Sequence, residues 1–126
     1  MGRRFKFWFL ISIVITASYI VSCINLDGDP NPNFVTTEAA TNVTDSSATL
    51  NGMKGLGLIP AVFEYGMTTS YGDTVKTFKN DTFYDLGVSA KLNGLTPAST
   101  YHYRLKAGPD LKYYGSDMIF TTKSPV

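Results

Sequence analysis

The chain has 126 residues, room for one modest domain, with 44% hydrophobic residues and a formal net charge of +1. Three of the eleven basic residues sit at the extreme N-terminus, and the balance of the rest gives no electrostatic case for nucleic acid, which would need clustered Lys and Arg to displace phosphate counterions. A single cysteine, Cys23, excludes an internal disulfide.

The N-terminus begins with a short cationic head, Arg3, Arg4 and Lys6. An apolar run follows from Phe7 to Val21, including Trp8, Phe9, Leu10, Ile11, Ile13, Val14 and Ile15. Cations ahead of such a run form the layout of a secretory signal, and residues 1–22 are expected to make a signal-peptide helix. As a permanent span the run is marginal, since a helix needs about 20 apolar residues to cross the hydrocarbon core. All ten acidic residues lie after Cys23 with eight basic ones, so the mature chain carries a formal charge of −2.

Ile20-Val21-Ser22-Cys23, placed directly after the apolar run, resembles the lipobox of bacterial lipoproteins. The resemblance implies a diacylglyceryl group on the sulfur of Cys23, cleavage after Ser22, and membrane lipid as a partner. Anchoring of this kind is additive at about 0.8 kcal/mol per buried methylene, so one acyl chain holds weakly and two or more hold firmly. Ile24 follows the cysteine where an aspartate would direct inner-membrane retention, which leaves the periplasmic face and the cell surface both open. The alternatives are an ordinary signal with an incidental cysteine and an uncleaved anchor over residues 7–21.

Residues 23–33 are polar and turn-rich, and Pro30 and Pro32 oppose helix, so they are expected to form a tether. Asp27, Asp29, Asn31, Asn33 and Glu38 imitate the spacing of a calcium loop. Its sixth position needs a glycine and holds Pro32 instead, so no metal is expected.

From Phe34 onward the periodicity is two, broken by turn signals. In residues 101–107, Tyr101, Tyr103, Leu105 and Ala107 share one face while His102, Arg104 and Lys106 share the other. Val88, Ala90 and Leu92 alternate similarly, as do Phe63 and Tyr65, and then Met118 and Phe120. Seven strands are predicted, over residues 35–40, 48–53, 61–66, 74–78, 86–92, 100–106 and 117–122. Strands so spaced imply an all-β, antiparallel two-sheet sandwich over residues 34–123.

Four phrases resemble fibronectin type III domains of the bacterial extracellular type. They are Ala48-Thr49-Leu50-Asn51-Gly52, Phe63-Glu64-Tyr65-Gly66 with Tyr71-Gly72, the run from Leu92 through Arg104, and Phe120-Thr121-Thr122. The resemblance implies a seven-stranded immunoglobulin-like sandwich and a tyrosine corner at Leu95, Pro97 and Tyr101. In that motif the Tyr101 ring packs in the core and its hydroxyl bonds backbone a few residues upstream. Leu50 stands near the place of a core Trp found in many animal members.

No motif for catalysis or for a cofactor emerges. His102, the single histidine, falls on the polar face of its strand beside Arg104, where solvation is the ordinary state. Asp81 and Asp85 read as scattered surface acids. The sequons at Asn42 and Asn80 matter only in a eukaryotic secretory pathway, which the lipobox opposes.

In the resembled family two loops share a pole and often carry recognition, here residues 54–60 and 108–115. Leu56, Leu58, Leu111, Tyr113 and Tyr114 could there make an apolar, aromatic tip for a protein or glycan, or could fold back over the core. The expected function is a membrane-anchored, extracytoplasmic, non-catalytic interaction, adhesion or spacer module, monomeric and without cofactor. The rival readings are a carbohydrate-binding accessory of polysaccharide degradation and a piece of a larger multidomain surface protein.

Overall fold

The computed structural model describes residues 33–78 and 86–126. The expected signal helix, Cys23 and the tether through residue 32 lie outside the described residues, as do Asn80, Asp81 and Asp85.

Eight strands occur among the described residues: β1 (Val35–Thr41), β2 (Ala48–Lys54), β3 (Ala61–Gly66), β4 (Asp73–Lys76), β5 (Gly87–Leu92), β6 (Thr100–Ala107), β7 (Tyr113–Tyr114) and β8 (Met118–Thr121). All pairings are antiparallel. One sheet runs β1-β2-β5, and the other runs β4-β3-β6 with both β7 and β8 on the far edge of β6. The expected two-sheet sandwich is thus the architecture.

Seven strands were expected and eight occur because the last one is broken. Tyr113 and Tyr114 pair with Ala107 and Lys106, and residues 118–121 pair with residues 100–103 of the same strand. Between them the chain leaves the ladder, and the backbone groups of Leu105 find other partners. The Gly115 N–H donates to the Leu105 carbonyl at 3.0 Å, and the Leu105 N–H donates to Thr37 Oγ1 of β1 at 3.2 Å. A Cβ at position 115 would stand 2.5 Å from that same Oγ1, so only glycine admits Thr37 to the gap. A polar side chain from the opposite sheet therefore fills the break, and no buried amide is left without a partner there.

The alternation read from the sequence forms the interior. Leu50, Ala90 and Leu92 line one sheet; Phe63, Tyr103, Leu105 and Phe120 line the other, and all are buried in one cluster. Lys54, placed in a loop by the sequence reading, instead extends the inward row of β2 and is fully buried. The Tyr101 and Phe120 rings stack at 5.4 Å, and Tyr103 meets Phe120 at 5.8 Å with planes inclined by 58°. Tyr103 crosses the core, and its hydroxyl donates to the Glu38 carbonyl of β1 at 2.6 Å.

The Tyr101 side chain is buried, and its hydroxyl accepts from the Thr96 N–H at 2.9 Å. Leu95 beside it is buried, while Pro97 is exposed and its carbonyl accepts from Ser99 Oγ at 2.9 Å. Residues 95–101 thereby form a closed corner, with Ala98 forced to φ 50°. Tyr101→Phe keeps the ring and leaves the Thr96 N–H without its acceptor. Urea unfolding should register a loss of about 1–2 kcal/mol; an unchanged midpoint would show that the hydroxyl carries no stability.

Candidate functional site

The outer face of the larger sheet carries a network of charged and aromatic side chains. Glu64 of β3 lies directly across from Arg104 of β6, so a carboxylate and a guanidinium meet as a cross-strand pair. Lys106, one pleat further along, reaches the other Glu64 oxygen at 3.4 Å. The Arg104 guanidinium carbon lies 4.9 Å from the Tyr71 ring centroid and 4.3 Å from that of Tyr114. Two rings and a carboxylate hold one cation, and a guanidinium positioned this way retains in-plane donors for an acceptor.

Tyr71 reaches this position because the β3–β4 connection folds tightly. Its N–H closes a turn onto the Thr68 carbonyl at 3.0 Å, and its own φ is 59°. Gly66 is the seat for that loop, since a Cβ there would meet the Tyr71 carbonyl oxygen at 1.7 Å. The Tyr71 hydroxyl donates to Asp117 Oδ1 at 2.9 Å, and Asp117 Oδ2 pairs with His102 Nδ1 at 2.8 Å. Burial first, then the hydrogen bond and negative charge of Asp117, push the Tyr71 phenol up to about 12.

His102 lies on the polar face beside Arg104 as the sequence predicts, and it is engaged by a carboxylate rather than simply solvated. A His–Asp pair can orient an imidazole, but hydrolysis also needs a nucleophile within reach of the ring. The hydrogen bonds described at this face tie His102 to Asp117, and Asp117 to a phenol. The arrangement is built to hold side chains in fixed positions.

The tip expected from residues 54–60 and 108–115 does form, since the Gly108 N–H donates to the Pro60 carbonyl at 3.0 Å. Its residues divide. Leu56 is 59% exposed, Tyr113 36% and Tyr114 57%, and Leu111 is half-buried. Leu58 takes the second course that the sequence left open and folds back over the core: it is 5% exposed and belongs to the core cluster. Its burial follows from the turn at Gly55, where the Leu58 N–H bonds the Gly55 carbonyl at 3.2 Å and returns the chain inward. Register assigns Tyr114 to the outer sheet face with Lys106, and Tyr113 to the pole with Ala107.

Sequence reasoning missed Tyr71, Glu64 and Asp117 as members of one site. The hydrogen bonds that join these residues to one another and to β6 span 15 to 46 residues of sequence. The one signal available was the charged row His102, Arg104 and Lys106, which calls for counter-ions on flanking strands.

No protein-family model matches the sequence, and no curated protein matches it. Solved structures do. The sensor domain of the anti-sigma factor RsgI4 in Pseudobacteroides cellulosolvens aligns with 77% of this chain and 100% of its own, at 15% identity and TM-score 0.63. A fibronectin type III domain from the human KIAA0970 protein aligns over 73% of this chain and 74% of its own, at 17% identity and TM-score 0.55. That of human fibronectin type III domain containing protein 3 covers 79% and 94%, at 14% identity and TM-score 0.53. At these identities the likeness is one of fold: the domain is a fibronectin type III-like β-sandwich.

Two expectations follow from the network. Gly66→Ala sets a methyl against backbone that no side-chain rotation can clear, and should lower unfolding stability by about 2–3 kcal/mol in urea titration. The phenols of Tyr65, Tyr71 and Tyr103 are all raised, each chiefly by burial. Unfolded tyrosine ionises at its ordinary 10.0, so for Tyr71 the contribution is complete below that pH and is lost as pH rises through about 12. Tyr71→Phe should flatten this alkaline loss in urea midpoints measured against pH, and an equal slope in both proteins would contradict the assignment.

Proposed function

We propose that this chain is an exported lipoprotein, cleaved after residue 22 and anchored through Cys23, whose sandwich serves as a monomeric, non-catalytic interaction module in the cell envelope. The observation that carries the interaction role is the preassembled Tyr71–Arg104–Tyr114 stack on an open sheet face. Rigid aromatic and arginine side chains contribute most to recognition because little entropy is lost when a partner orders them further. The fold shared with a sensor domain supports a module that meets something outside itself. The lipobox supports anchoring.

A protein partner is the first reading. A glycan is the second, favoured by the exposed Tyr114 ring beside the charged groups of Arg104, Glu64 and Lys106. Cys23→Ser should abolish incorporation of labelled palmitate, and persistent labelling would reject the anchor. Tyr114→Ala removes an exposed ring and should leave the unfolding midpoint within about 0.5 kcal/mol of wild type. Cross-linking capture from the native envelope should fall about tenfold with this variant, in line with a hot-spot residue. Undiminished capture would place the contact elsewhere, and binding on a glycan array that Tyr114→Ala eliminates would select the second reading.

A further inference from the structure

We propose that the pole bearing Leu56, Ile59 and Tyr113 rests on the lipid surface to which Cys23 ties the chain, an inference that builds on the anchoring proposed above. The Phe34 carbonyl accepts from the Gly55 N–H at 2.9 Å, and Val35 lies opposite Lys54. The chain therefore enters the sandwich beside the β2–β3 loop, at the same end as the β6–β7 loop that Gly108 joins to Pro60. Residues 24–33 separate the acylated cysteine from this entry point. Even fully extended they reach at most about 35 Å, at 3.3–3.6 Å per residue. Within that radius the nearest part of the domain is this pole, so its encounter with the bilayer is intramolecular and its effective concentration is high.

The composition of the pole suits lipid. Leu56, Ile59 and Tyr113 are exposed there, with Leu111 half-buried behind them. Aliphatic side chains gain by entering the acyl boundary, and tyrosine favours the headgroup level, where its ring and hydroxyl are both satisfied. Lys112 and Asp110 of the same loop pair at 3.0 Å and stay in water, with side chains 72% and 67% exposed. The opposite pole is unlike it. There Ser46 accepts from the Leu95 N–H, Thr44 accepts from the Lys123 N–H, and the exposed residues include Asn93, Thr96 and Lys123. Met67 is also exposed at that far end, so the entry pole is set apart by several apolar residues together and by the chain entry itself.

With this pole down, β6 runs toward the membrane, because its Ala107 end lies at the lipid pole and its Thr100 end at the far one. The Arg104 stack then faces sideways, open to a partner in the same envelope layer. The apolar tip is thus a membrane contact, and the sheet face is the surface left for recognition.

Trp8 of the leader is the only tryptophan, so the mature protein has none and one substitution creates a unique reporter. The acylated mature protein, from Cys23 onward, carrying Leu56→Trp, and separately Asn93→Trp, is reconstituted in phosphatidylethanolamine–phosphatidylglycerol vesicles with brominated acyl chains. Palmitate labelling of the same samples scores acylation at Cys23. Quenching of Leu56→Trp about threefold greater than that of Asn93→Trp is expected, as for a residue at the acyl boundary. Labelled protein with equal quenching at both positions, or with none, overturns the lipid contact while the anchor stands, and returns the tip to a soluble partner. Protein without label overturns the anchor and this inference together.

Discussion

A phenol that crosses a dry interior must find an acceptor on the far side, and the two sheets of this domain are joined where Tyr103 does so. Its ring lies fully buried between Phe63 and Phe120, and its hydroxyl reaches the Glu38 carbonyl. The β1–β2 register shifts between Glu38 and Thr41, so the strand is irregular where the phenol arrives. One residue earlier, Thr37 Oγ1 accepts from the Leu105 N–H of the opposite sheet. Two adjacent residues of an edge strand thus tie it to the centre of the other sheet through hydrogen bonds shielded from water, where loss of a partner is costly.

Every other feature depends on the position of β6. Its inward row supplies Tyr101, Tyr103, Leu105 and Ala107 to the core; its outward row supplies His102, Arg104 and Lys106 to the surface network. The two rows are coupled, because a strand held rigidly inside presents fixed side chains outside. Arg104 consequently has one orientation, set by Glu64 across the ladder and by two rings above it. A loop seated on Gly66 and an edge strand interrupted near Gly115 bring those rings in, so the network assembles from two separate backbone irregularities.

The surface of the domain is accordingly uneven. Among the described residues, exposed apolar side chains stand beside the chain entry, a hydrogen-bonded pole stands at the tyrosine corner, and between them runs one face of ordered charge and aromatic rings. The His102–Asp117 pair fixes Tyr71 and the residue that precedes β8.

The sequence by itself determined the strands, because alternation of period two and turn residues are local properties that survive in any context. It also determined the inward row of β6 and the closed corner at Tyr101, since both lie within a few residues of one another. The broken edge strand was not legible, for only the approach of Thr37 shows why residues 115–117 leave the ladder. For Leu58 the sequence left both tip and core open, because a leucine in a loop carries no mark of direction until a turn returns it to the core. The union of Tyr71, Glu64, Arg104, Tyr114, His102 and Asp117 was decided by tertiary structure alone. Strand register brings together residues far apart in the chain, and register is a collective outcome of packing that no single segment encodes.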